Sequence, residues 1–362
     1  MHHEPLANLE MMLAPETLTR VSGEQIDFVR CAPFTGGHSA SGSSFLSVET
    51  NDGRGPRFVV KRSSPQSDWI VRATADELGR EVLVWTSGLL DKLPLEIVHP
   101  VIACAYDEGG WAILMRDVSD ALIPDPMGNL PISRADHRTY IGALAALHVM
   151  FWDEAADVDP ALGYCRPAHL YTALSPETAW REIDHPNEVV SWLREGWDLF
   201  WTLVDPDVAD LLRQLFEDPA PLCAALARYP QTLVHGDPRV ANLGIMREPE
   251  PRVVLLDWHF VGPSTPGVDI AWYLWNLGIR LPVTKEMTIA CYRDRLAHRL
   301  GSHFDEDWWQ PQMELSLLGQ LMRGGWGSAW DAVRDPSAAV REWNRKDLVW
   351  WSQRARAGAR WL

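Results

Sequence analysis

The chain has 362 residues, with 33 basic against 49 acidic side chains and a formal net charge of −16. A phosphate-backbone binder displaces counterions with a Lys/Arg surplus, so this balance argues against a nucleic-acid partner, and a hydrophobic share of 46% with 23% charged residues excludes wholesale disorder. At roughly 150 residues per domain, the length predicts about two domains or lobes.

Residues 1–20 carry no basic segment followed by an apolar one, and no run reaches the roughly 18 apolar residues of a membrane span. The expectation is a soluble, cytoplasmic chain with no membrane partner. Cys31, Cys104, Cys165, Cys223 and Cys291 are odd in number, far apart and without a CxxC pair. That pattern fits reduced thiols better than a disulfide framework or a zinc site.

After a short amphipathic start, residues 25–117 read mostly as strands. Residues 26–34 alternate, 43–49 follow a Gly/Ser-rich turn, and 57–61 follow the turn residues Asn51-Asp52-Gly53. Residues 72–90 are predicted as one helix, because Leu78, Val82, Leu83 and Leu89 recur at helical spacing with Glu77, Arg80 and Glu81 between them. Strands at 98–106 and 111–118 flank Gly109-Gly110. From Ser133 the pattern turns chiefly helical. Ser133 is the expected N-cap of a helix with Tyr140, Leu144, Leu147 and Phe151 on one face, and Ser175-Pro176-Glu177 marks a second helix start. The apolar runs 243–246 and 253–256, around Glu248-Pro249-Glu250-Pro251, predict a hairpin inside the helical region. No internal repeat or low-complexity tract is visible.

The expected boundary lies in 116–120, giving lobes 1–116 and 117–362. The first carries 10 basic and 15 acidic side chains and three tryptophans; the second is net −11 with sixteen tryptophans. An acidic, tryptophan-rich lobe suits a cationic or sugar-like ligand. The same composition also describes a helical core with a solvated acidic surface.

The stretch from Leu233-Val234-His235-Gly236-Asp237 to Asn242, followed by Leu255-Leu256-Asp257-Trp258, sets three polar residues at fixed spacing. Phosphoryl transfer from a nucleotide needs a carboxylate to orient the attacking hydroxyl and accept its proton. It also needs a carboxylate and an amide oxygen to hold the magnesium that bridges the phosphates. Asp237 suits the first role; Asn242 and Asp257 suit the second.

These residues resemble the aminoglycoside phosphotransferase and choline kinase superfamily, relatives of the protein kinases, whose pattern is HGDxxxxN followed by a strand ending in Asp. The resemblance implies an α+β, two-lobed, protein-kinase-like fold: a small N-terminal antiparallel sheet with one helix, and a larger, mainly helical C-terminal lobe. It further implies a magnesium cofactor, with ATP or GTP as phosphoryl donor. Gly267-Val268-Asp269-Ile270-Ala271 resembles the family's downstream element, which makes Asp269 the buried acid bracing the catalytic loop. His235 looks like a loop-packing residue, and Trp258 reads as packing.

By the same resemblance, Lys61, ending Phe58-Val59-Val60-Lys61, is the lysine that grips the nucleotide phosphates, paired with a helix glutamate. Glu81 fits that partner better than Glu77 because of its Arg80-Glu81-Val82 context. The turn from Phe34 to Ser43 lies over the phosphates in this reading, with Ser39 and Ser41 beside them and Gly36 and Gly37 allowing close backbone approach. Met115 falls on the strand whose backbone would hydrogen-bond the purine. Arg239 departs from the family's frequent His or Trp; a guanidinium there suits stabilisation of the transferring phosphoryl group, or a surface ion pair.

Only eleven residues separate Asp257 from Asp269, with no APE motif, which leaves no room for a peptide-docking activation segment. The acceptor is therefore expected to be a small hydroxylated molecule. Segments 160–229 and 284–362 would wall its pocket, offering Trp152, Asp153, Asp198, Trp275, Trp308, Trp309, Trp326, Trp330 and Asp331 between them and their neighbours. The acidic lobe tilts the expectation to a cationic or polyhydroxylated acceptor, an aminoglycoside, aminocyclitol or amino sugar. A choline-like cation, a macrolide, and a nucleotide-binding pseudokinase are the alternatives.

Overall fold

The computed structural model describes residues 3–34, 39–126, 128–153 and 163–362. Two short helices open the chain, α1 (Leu9–Leu13), capped by the Asn8 side chain, and α2 (Pro15–Ser22), closed by Gly23 in the left-handed region at φ 77°. They precede the strands β1 (Val29–Pro33), β2 (Ser44–Thr50) and β3 (Phe58–Ser63). Helices α3 (Trp69–Ala73) and α4 (Arg80–Thr86) follow, then β4 (Ile97–Val98), β5 (Val101–Asp107) and β6 (Gly110–Arg116).

Among the described residues the N-terminal sheet is antiparallel with the order β1-β2-β3-β6-β5. Its β3/β6 register pairs Val59 with Met115 and Lys61 with Ile113. Since successive strand residues face opposite sides, these four share one face, and Phe58, Val60, Ala112 and Leu114 occupy the other. The second set packs with Met12, Leu18 and Ile26 in a core of its own beneath α1 and α2.

Two expectations need correction here. The single helix at 72–90 is two, because the chain turns sharply between them: Ala75 lies at φ 49° and Gly79 at φ 74°. Asp76 holds the turn, both of its carboxylate oxygens accepting from the Arg80 N–H at 2.9 Å. A Cβ at position 79 would sit 2.3 Å from the Trp111 indole, so glycine is required there by dihedral and by space. The strand at 98–106 is likewise two. β4 leaves the N-terminal sheet and pairs in parallel with a later strand, and Pro100, which has no N–H to donate, stands between β4 and β5.

The helical region opens with α5 (Arg134–Met150), whose expected cap Ser133 accepts from the Asp136 N–H at 3.0 Å. Then come α6 (Pro167–Thr172), α7 (Pro176–Arg181), capped by Ser175, α8 (Glu188–Leu203), α9 (Pro206–Glu217) and α10 (Ala220–Leu226). Strand β7 (Thr232–Val234) leads to the expected hairpin of β8 (Leu243–Met246) and β9 (Arg252–Leu255), which β4 extends to three strands in the order β4-β9-β8. β10 (Gly262–Ser264) pairs with β7. The chain ends in α11 (Gly267–Leu277), α12 (Lys285–Leu300), the 29-residue α13 (Glu306–Arg334) and α14 (Ala338–Ala359). This is the α+β arrangement expected, an antiparallel sheet followed by a helical region.

Most tryptophans serve the core. Trp197 and Trp351 are fully buried, and Trp309 packs with Trp308, Tyr292 and Phe304. Trp152 packs against Trp308 at 5.5 Å with the rings tilted by 45°, which takes Trp152, Trp308 and Trp309 into that core cluster. No helix among the described residues is long and apolar enough to cross a membrane, and the five cysteines are unpaired.

His137 of α5 bridges to the Tyr273 hydroxyl of α11 (2.9 Å) and to Thr288 of α12 (3.3 Å). Burial, aided by Arg138 and Arg295, pushes its imidazole down to about 4. The folded state therefore resists a proton that the unfolded chain accepts below about pH 6.5, so stability falls as pH drops from about 6.5 towards 4. In urea melts followed by circular dichroism across that window, His137→Gln is expected to lose less stability than the parent; an equal slope would contradict this.

Candidate active site

The loop after β7 is built around one buried carboxylate. Asp269, in the first turn of α11, accepts from the His235 N–H at 2.8 Å and the Gly236 N–H at 2.7 Å, and contacts His148 Nε2 at 3.0 Å. Burial alone would raise its carboxyl, but these donors and the neighbouring imidazoles outweigh it and hold it below the usual aspartate range. Gly236 lies at φ 81°, and a Cβ there would meet the Phe260 carbonyl oxygen at 2.5 Å. The chain thus turns tightly enough to present Asp237 next.

Each carboxylate oxygen of Asp237 has its own donor. Oδ1 accepts from the Trp272 indole N–H at 2.7 Å and Oδ2 from Asn242 Nδ2 at 2.9 Å. Asn242 Nδ2 also reaches the Asp237 carbonyl at 3.0 Å, so the amide spends its nitrogen on Asp237 and keeps its oxygen for other partners. Arg239 forms an ion pair with Asp237 at 3.2 Å and approaches Asp257 at 3.9 Å.

Asp257, two residues after β9, lies in the left-handed region at φ 67°. Lys61 Nζ donates to its Oδ1 at 2.5 Å and to Glu81 Oε2 at 2.6 Å, joining β3, α4 and the end of β9. Burial on its own would push the Lys61 ammonium down. The carboxylates of Asp257 and Glu81 more than offset this and hold it well above the ordinary lysine range. Burial similarly opposes ionisation of Asp257, and the adjacent His259, Lys61 and Arg239 reverse it, keeping the carboxyl well below its usual value. His259 Nδ1 lies 2.7 Å from Asp257 Oδ1. Ligand atoms of Asp237, Asp257 and His259 all fall within 4.8 Å of one another, a spacing that one divalent cation can span.

Lys61, Glu81, Asp237, Arg239, Asn242 and Asp257 are thus one connected set, and Glu81 rather than the exposed Glu77 meets the lysine. Met115 shares the sheet face of Lys61. Ser41 lines the same cleft as Lys61, but its hydroxyl donates to Asp68 at 2.6 Å, as does that of Ser43, while Ser39 Oγ accepts from the Gly42 N–H at 3.0 Å. The Ser39 hydroxyl is thus engaged inside its own turn and that of Ser41 by the cap of α3. Gly36 and Gly37 of that turn, like positions 160–162 of the expected pocket wall, lie outside the described residues.

Trp272, Arg323, His259 and His148 were not singled out from the sequence. Trp272 stands three residues after Asp269, a helical spacing that puts it on the same side of α11. Arg323 lies 87 positions from the carbonyl of Gly236 that it contacts, and no local pattern announces it.

The chain matches the phosphotransferase enzyme family over residues 38–311 and belongs to that family. No curated protein matches it. Solved structures similar to it include an ethanolamine kinase from Plasmodium vivax, at 13% identity over 93% of this chain and 86% of that one, with a TM-score of 0.48. A microcompartment-associated aminopropanol kinase is 14% identical over 90% of each chain, with a TM-score of 0.49. An aminoglycoside phosphotransferase from Streptomyces rimosus, in complex with ADP and streptomycin, is 16% identical over 86% of this chain and 98% of that one, with a TM-score of 0.45.

Removing the Asp269 carboxylate strands two buried N–H groups and a histidine. Asp269→Ala is expected to cost about 3–5 kcal/mol of unfolding free energy. Asp237→Asn, which keeps an acceptor for Trp272 but sets its NH2 against that of Asn242, should cost less, about 1–2 kcal/mol. Equal losses in chemical denaturation would contradict Asp269 as the brace of this loop.

Proposed function

We propose that this phosphotransferase is a small-molecule kinase that transfers the γ-phosphoryl group of ATP or GTP to a hydroxyl of a small acceptor. The observation that carries the reading is the convergence of Asp237, held by Asn242, and Asp257, held by Lys61 at 2.5 Å, with carboxylate oxygens within 4.8 Å of each other. In this reading residues 1–116 form the nucleotide-binding lobe and 117–362 the lobe of catalytic loop and acceptor pocket. Lys61, held by Glu81, binds the phosphates, and the backbone beside Met115 holds the purine. Ser39 and Ser41 shape the turn over the phosphates through its backbone N–H groups, since their hydroxyls are turned inwards.

Asp237 orients the acceptor hydroxyl and takes its proton, and its two fixed oxygens suit a base whose direction matters more than its strength. Arg239, between Asp237 and Asp257, suits stabilisation of the negative charge in transfer. The residues present fit magnesium: the Asp257 carboxylate and the Asn242 amide oxygen are the hard oxygen ligands that such a cation takes. Bound there, it would supply positive charge to neutralise the phosphates. Against a peptide substrate stands the segment after Asp257, which is consumed by β10 and its pairing with β7 before α11 begins.

The net charge of −16 supports a cationic or polyhydroxylated acceptor, such as an aminoglycoside, aminocyclitol or amino sugar. Trp275 and Trp330 are part-exposed in the helical region, and Asp331 has its carboxyl pushed up to about 7 by burial and by Asp335. In this reading these groups lend the acceptor side both aromatic and acidic character. The cytoplasm is the compartment this substrate class and the free thiols fit.

The test is release of ADP or GDP with magnesium and a panel of aminoglycosides, amino sugars, sugars, choline and macrolides. Acceptor-stimulated release is expected for one class, and Asp237→Asn is expected to lower it about 10²–10⁴-fold. Full turnover by Asp237→Asn would overturn the mechanism.

A further inference from the structure

Behind the Asp237 carboxylate lies a second, wholly buried layer. Trp272, whose indole N–H donates to Asp237 Oδ1 at 2.7 Å, is covered on one face by Arg323 of α13, with the guanidinium carbon 3.9 Å from the ring centroid. Arg323 is 1% exposed. One of its nitrogens, Nη2, donates to the Gly236 carbonyl at 2.7 Å, while Nε and Nη1 have no hydrogen-bond partner among the described residues. Burial pushes its guanidinium below the usual arginine range, and the nearby Asp237 works against that.

A buried guanidinium with a single hydrogen bond is a net cost to folding unless its charge is used. Two uses are visible. The cation on the indole face draws electron density out of the ring, which makes the indole N–H a stronger donor. The bond to the Gly236 carbonyl fixes the peptide immediately before Asp237. The indole itself is held from a third side by Trp275, at 5.2 Å, and Trp275 reaches that position over Gly324. A Cβ at position 324 would lie 2.5 Å from the Trp275 ring.

We propose that Trp272 and Arg323 are a positioning pair for the Asp237 carboxylate. They fix its rotation about Cβ–Cγ so that one oxygen points at the acceptor hydroxyl. With Trp272 on Oδ1 and Asn242 on Oδ2, the carboxylate cannot rotate without breaking a bond to a neutral donor. Asn242 reads as a metal ligand as well, so Trp272 is the partner free to serve orientation alone. This inference rests on the reading of Asp237 as the base.

Two readouts test it. In 1H–15N spectra of the full chain, the Trp272 indole resonance, identified as the one missing from Trp272→Phe, is expected to move upfield in Asp237→Asn, where the acceptor loses its charge. In turnover with the acceptor found in the panel, Trp272→Phe is expected to lower kcat about 10–100-fold while the calorimetric Kd for magnesium-ATP stays within about twofold. Arg323→Lys keeps the charge but loses the planar fork, and should fall between the two. A structural defect alone would lower thermal stability and nucleotide binding together, without this split. An indole resonance indifferent to Asp237→Asn, or parental kcat in Trp272→Phe, would overturn the proposal. The spectrum needs no acceptor, so it tests the contact directly, whereas absence of turnover in the parent would count against the kinase reading.

Discussion

One ammonium group holds the site together. Lys61 Nζ is buried and shared between Glu81 and Asp257, and each of these three residues comes from a different element. A lone buried charge would cost several kcal/mol, and breaking such a pair by removing one partner typically costs about 3–5 kcal/mol. The cation is therefore tolerated only when the sheet, α4 and the end of β9 are all in place. The β3/β6 register turns Lys61 to the cleft, the break at Gly79 brings Glu81 into the first turn of α4, and the left-handed backbone at Asp257 aims its carboxylate back across the cleft.

A second tie lies farther out. Arg72 of α3 grips Glu182 through Nε and Nη2, His185 meets the Ser67 carbonyl at 3.0 Å, and Asn187 donates to the Ser39 carbonyl at 2.8 Å. The segment between α7 and α8 thus reaches the turn that precedes β2. Arg80, fully buried, adds bonds to the carbonyls of Gly163 and His259. The N-terminal sheet is anchored to the helical region on both sides of Lys61, which sets the width of the cleft.

The parts legible in the sequence were those fixed by short-range chemistry. His235, Gly236, Asp237, Asn242, Asp257 and Asp269 stand at set spacings, because one tight loop, one hairpin and one helix start connect them. The caps Ser133 and Ser175 were readable because capping is local. What was not legible depended on distant partners. Helical spacing across 72–90 hid the break, because only the Trp111 ring and the Asp76 carboxylate demand it. The strand at 98–106 looked continuous, because apolar residues say nothing about which neighbour a strand pairs with. Ser39 and Ser41 read as lying beside the phosphates, yet Asp68, which also caps α3, claims the hydroxyl of Ser41, and Ser39 Oγ accepts from the Gly42 N–H. Arg323 was invisible for the same reason: its role is defined by Gly236 and Trp272, both far away in the chain.

The central claim is that Asp257 is where the metal and nucleotide meet Lys61, and calorimetric titration of ATP with and without magnesium tests it most directly. The parent is expected to bind ATP markedly more tightly with magnesium than without it, and Asp257→Ala to bind equally weakly in both conditions. An Asp257→Ala chain that kept the full magnesium dependence of the parent would contradict the account.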